Sequence, residues 1–198
     1  MKRAIRTLRA TADAGMSLVE LLIYSLLLVT ILTIAGGIIM NSLTTQQTVT
    51  TVTSATSAGQ LVSASVEQGI RNASAFQVAT PTAFGQLLRS RTVRVTPAGV
   101  STWQCQAWFR TETGDFYARV SPSAAIPAPT TAADLTGWTL VSSGVSLPSG
   151  VTQAFTGSSG QLTLAVSVDP GDADSVLIST TIVSRPQNDT GTAPTTCF

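Results

Sequence analysis

The run from Leu21 to Met40 (LLIYSLLLVTILTIAGGIIM) contains no charged residue, and Glu20 stands directly before it. At about 1.5 Å per residue, a helix of this length crosses a hydrocarbon core of roughly 30 Å. An ionised acid at the edge of such a span is costly. Acids in that position are therefore functional candidates, and a partner has to be named for them.

Ahead of the span lie Lys2, Arg3, Arg6 and Arg9, all on one side of it, so the positive-inside tendency places the N-terminus in the cytoplasm. The octapeptide Gly15-Met16-Ser17-Leu18-Val19-Glu20-Leu21-Leu22 resembles the class III signal of type IV prepilins. The resemblance runs from Met1 to Ala75 and is specific over Gly15 to Leu22. It implies a basic leader removed after Gly15 by a dedicated prepilin peptidase. It also implies methylation of the new amine of Met16 by the same bifunctional aspartyl enzyme, and a functional Glu at the fifth mature position, here Glu20. The family more often has Phe where this chain has Met16.

Two other readings fit the apolar run. An ordinary secretory signal peptide also has a basic start and an apolar core, but that core is usually about 7 to 15 residues long. The small residues Ala35-Gly36-Gly37 are followed by further apolar residues, which suits a cleavage site poorly. A plain signal anchor explains the span and leaves Gly15 and Glu20 as coincidences.

Composition suits an exported surface protein. The chain has 198 residues, enough for one globular domain after the span, and charged residues make up only 11%. Without Lys2, Arg3, Arg6, Arg9 and Asp13, the rest keeps 7 of 11 basic and 9 of 10 acidic residues, a net charge of about −2, and no Lys. That balance gives no basic face for nucleic acid. Cys105 and Cys197 are the two cysteines. In an exported domain such a pair is most simply a disulfide, tying the C-terminal segment to an interior strand; two separate thiols are the alternative.

Helical periodicity continues past the span. Val52, Ala55, Gly59, Val62, Val66, Ile70 and Ala73 recur at steps of three or four, and no Pro occurs from Met1 to Thr80. One long helix over 16–75 is expected, despite the modest helix propensity of the Thr-rich stretch from Thr44 to Ser57. Its membrane part is placed at about 18–40, and Gly36-Gly37 is a soft point.

After Ala75, short β-rich runs alternate with Pro, Gly and Ser. Expected strands are Phe76 to Ala79, Thr92 to Thr96, Ser101 to Arg110, Asp115 to Ser121, Trp138 to Ser142, Gln161 to Val168 and Ser175 to Val183. Turns at Glu112-Thr113-Gly114 and Asp169-Pro170-Gly171-Asp172 close two hairpins, and Pro122 to Thr131 is a loop. The organisation is then a leader over 1–15, the helix over 16–75 and a β-rich exported domain over 76–198. The expected fold class is α+β, a long N-terminal helix on an antiparallel sheet, as in pilins.

Chemistry in the domain is sparse. The chain has no His, which removes imidazole catalysis and His metal sites. Asp169, Asp172 and Asp174 invite a calcium reading, but their spacing is not that of an EF-hand loop and the composition is an ordinary turn. Asn188-Asp189-Thr190 matches a glycosylation sequon, a weak signal. Trp103, Trp108 and Trp138 read as core or sheet-face residues rather than a ligand platform. No enzyme activity, cofactor or metal is expected. The resemblance implies a subunit of a pilus-like fibre or pseudopilus, with other pilin subunits, the assembly platform, the prepilin peptidase and the membrane as partners. The segment Val66 to Ala73 resembles the helix end of minor pilins and pseudopilins of type II secretion. A signal-anchored monomer or adhesin is the alternative.

Overall fold

The computed structural model of the chain describes residues 17–184, apart from 96, 98, 123, 159 and 172, together with 197 and 198. Helix α1 spans Leu18–Arg71. The chain divides into two compact units between Gln47 and Thr48.

In the first unit every side chain from Ser17 to Gln47 is exposed. A helix that is apolar on all sides and covered by nothing belongs in lipid or against other helices. This one is long and apolar enough to cross a membrane. Gly36 and Gly37 lie inside unbroken helix, with open space wherever a Cβ would sit, so the expected soft point is not a break.

In the second unit the stripe turns inward, and Ala55, Gly59, Val62, Val66, Gly69 and Ile70 are buried. Two glycines let the helix approach closely. A Cβ on Gly59 would overlap Ile178, and one on Gly69 would overlap the Trp108 ring. The helix ends at Arg71, short of the expected Ala75. The Asn72 amide donates to the Gln68 carbonyl at 2.9 Å, satisfying one of the carbonyls a helix end leaves free. Ala73 is buried, but as the first residue of a strand paired with Thr92.

Five antiparallel strands form the first sheet in sequence order: β1 (Ala73–Val78), β2 (Gly85–Val95), β3 (Ser101–Thr111), β4 (Phe116–Ser121) and β5 (Thr139–Ser142). The second sheet holds β6 (Val145–Ser146), β7 (Phe155–Ser158), β8 (Gln161–Val168) and β9 (Val176–Val183). There β8 pairs with β9 along its length, and β6 and β7 pair with opposite ends of β8. The expected strand at Thr92 begins earlier, at Gly85, and β6 and β7 were not expected. The hairpins at Glu112-Thr113-Gly114 and at Asp169-Pro170-Gly171 join β3 to β4 and β8 to β9. In the first of these turns Gly114 has φ 93°, a conformation that favours glycine.

Alternation along the strands sorts two cores. Leu88, Trp108 and Phe116 join Val62, Val66 and Ile70 of the helix and Phe155, Leu162, Leu164 and Val166 of the second sheet. Leu87, Cys105, Ala107 and Phe109 point to the opposite face, where Ile126, Trp138 and Cys197 cover them. Ile126 thus anchors the Pro122 to Thr131 loop. Burying a side chain the size of Phe155 stabilises by about 1.5–3 kcal/mol.

Two buried polar side chains stitch the sheets together. The Gln86 carboxamide donates to the Phe155 carbonyl at 2.8 Å and accepts from the Phe155 amide at 3.0 Å. Arg110 donates through Nε to the Val145 carbonyl at 3.0 Å. Burial pulls the Arg110 pKa down, and Glu112 pushes it back up.

Candidate functional site

Glu20 lies in the first turn of α1, where the helix macrodipole favours a negative charge by roughly 0.3–1 kcal/mol. The Leu21 amide closes that turn on the Ser17 carbonyl at 3.1 Å. One turn further, the Tyr24 hydroxyl donates to Glu20 Oε1 at 3.3 Å. Leu18, Leu21, Leu22 and Ile23, on the same turns of the helix, are exposed apolar side chains, Leu18 at 80% exposure. An acid with one donor among the described residues therefore sits at the head of an exposed apolar helix. Gly15 and Met16, the expected cleavage and methylation residues, lie outside the described residues.

Cys105 and Cys197 are joined by a disulfide, with their Cα atoms 5.4 Å apart across 92 residues of sequence. The bond fastens the last residues to β3 within the second core. Trp108 and Trp138 are buried. The Trp108 indole donates to Ser65 of α1 at 2.9 Å, and Trp138 meets Phe109 edge-on at 6.2 Å. Trp103 lies under the Arg91 guanidinium at 5.1 Å. All three serve helix packing or sheet faces.

The Asp169 carboxylate accepts from the Gly171 amide at 2.8 Å, which is a turn-forming bond. Asp172 and the sequon Asn188-Asp189-Thr190 lie outside the described residues. Among the described residues no group of His, Cys, Asp and Glu side chains is placed to hold a metal ion.

Sequence reasoning missed Tyr24, although its i, i+4 spacing from Glu20 on an expected helix was the available signal. It also missed Asp134, which accepts from the Thr130 and Thr131 amides at 2.9 Å and from both hydroxyls. Those bonds hold its carboxyl at about 2. No protein-family model, curated protein or solved structure matches the chain.

Proposed function

We propose that this chain is a structural subunit of a type IV pilus-like fibre or pseudopilus, of the minor-pilin or pseudopilin kind. Before assembly it is a single-pass protein of the cytoplasmic membrane, with its N-terminus inside and the β domain outside. Prepilin peptidase removes residues 1–15 after Gly15, and the Met16 amine is methylated. The apolar half of the helix then packs against its counterparts in other subunits. Glu20 of one subunit meets the Met16 amine of the next.

The observation that carries this reading is an acid in the first turn of an exposed apolar helix half, on a chain whose second helix half buries one stripe against β-sheets. Low dielectric makes such a charge pair directional, and leaving either charge alone there costs several kcal/mol. One pair therefore selects a register that apolar contacts alone do not distinguish.

Mass spectrometry of the mature N-terminus, with and without active prepilin peptidase, tests the pathway. A peptide starting at N-methyl-Met16 only when the peptidase is active is the expected result. An intact leader in both strains would mean a signal-anchored monomer, and a start beyond Gly36 would mean a secreted domain. Glu20→Ala is expected to leave export and cleavage intact while removing the subunit from fibres. Normal entry of that variant would end the pairing mechanism.

A further inference from the structure

The span between Leu21 and Met40 carries four hydroxyl side chains, Tyr24, Ser25, Thr30 and Thr33. Three of them are committed to the helix itself. Ser25 donates to the Leu22 carbonyl at 2.9 Å, Thr30 to the Leu27 carbonyl at 2.8 Å, and Thr33 to the Val29 carbonyl at 2.7 Å. This back-bonding satisfies their protons and hides them from a helix neighbour. Tyr24 differs. Its ring carries the hydroxyl past the backbone carbonyls of the preceding turn, to the Glu20 carboxylate.

The direction of that reach follows from helix geometry. Side chains on a helix tilt toward its N-terminus, so a residue four places later lies over the earlier one. Tyr24 is the deeper of the two in the span, and its hydroxyl returns toward the edge. Its ring is exposed, like the Leu and Ile side chains next to it in sequence, and an amphipathic aromatic suits a membrane boundary.

We propose that Tyr24 is a positioning residue for Glu20, an inference that rests on the pilus-like reading above. Its hydroxyl holds Oε1, fixing the rotamer of the acid and supplying one donor while no neighbour is present. Oε2 has no bonded partner among the described residues and stays available for the amine of an adjoining subunit. The acid is then partly satisfied in the lone subunit and already aimed when the neighbour arrives. Phe at this position would keep the ring packing and remove only the donor.

The test combines a variant cycle with a spectroscopic readout. Full-length Glu20→Ala, Tyr24→Phe and the double variant are co-expressed with the assembly machinery, and the incorporated fraction of each is measured. Tyr24→Phe is expected to lower incorporation by about threefold, the scale of one hydrogen bond between membrane helices. Glu20→Ala is expected to lose incorporation by itself, so the double variant checks only that Tyr24→Phe does not restore it, and the spectroscopic readout carries the link between the two residues. Separately, the protein carrying carbon-13 carboxyl-labelled Glu is placed in lipid vesicles at fixed pH. Subtracting the infrared spectrum of Glu20→Gln isolates the Glu20 band, and Tyr24→Phe should move it. A general packing defect would lower incorporation without moving that band.

Normal incorporation of Tyr24→Phe with an unmoved band, while Glu20→Ala is excluded, would overturn the role of Tyr24 and leave the pairing reading intact. Normal incorporation of Glu20→Ala would remove the pairing reading, and the assembly role of Tyr24 with it.

Discussion

The two halves of α1 are built from the same kind of apolar residue and meet opposite fates. From Leu18 to Gln47 every side chain is exposed, whereas Ala55, Gly59, Val62, Val66, Gly69 and Ile70 are buried on β-sheets. What differs is the arrangement. The first half is apolar on all sides, and no single sheet could cover it. The second half buries one apolar stripe and gives mostly Thr, Ser and Gln, with Val49 and Leu61, to the other sides. Glycine shows the same contrast. Gly36 and Gly37 have nothing near them, while Gly69 leaves room for an indole.

The comparison can be broken or sharpened by experiment. Replacing Cys105 and Cys197 by Ser is expected to destabilise the β domain by roughly 2–5 kcal/mol, read from denaturant unfolding in detergent. Helicity of the apolar half, read by circular dichroism in vesicles, should not change. A loss of both signals together would mean that the two halves fold as one.

A smaller effect is expected from a single methyl. Gly69→Ala forces the Trp108 ring and the Gln106 side chain to move, at a cost of about 1–3 kcal/mol in domain stability. Gly36→Ala meets open space and gains helix propensity of up to about 1 kcal/mol, with no effect on domain unfolding. Equal effects at the two glycines would erase the distinction.

The smallest effect concerns Asp134, which is fully exposed. Its folded pKa of about 2 lies below the ordinary value of 3.8, so its contribution is present above 3.8 and lost as pH falls toward 2. The Tm difference between the wild type and Asp134→Asn should therefore shrink over that interval. A difference that persists at pH 2 would point to packing rather than charge.

Much of this arrangement is legible in the sequence because it depends on local pattern. An uncharged run, a stripe at steps of three or four, and the alternation of Leu162, Leu164, Val166 and Val168 each need only near neighbours. What is not legible depends on distant ones. Ala73 fits the helical stripe by spacing, yet pairing with Thr92 draws it into β1. Gly85 and Gln86 have little strand pattern of their own, and become strand because they pair with Thr111 and Arg110 of β3. The short β6 and β7 have little pattern of their own and exist as partners of β8. At the candidate site, Glu20 stands out by its charge, whereas Tyr24 is inconspicuous until a helix sets it above the acid.

Gln86 has a bearing on the order of events as the domain forms. Its carboxamide gives Phe155 one donor and one acceptor, which is what a neighbouring peptide group would offer. The first sheet, by contrast, grows from strands adjacent in sequence. Closing a long loop delays its reward, because chain entropy is lost before the contact is gained. On this ground the meander is expected to form first and the seam to close later. Contacts made after the rate-limiting step govern how fast a protein comes apart more than how fast it forms. Together with Arg110 and the apolar core the two sheets share, the Gln86 amide is a brake on opening, so Gln86→Ala is expected to speed unfolding more than it slows folding.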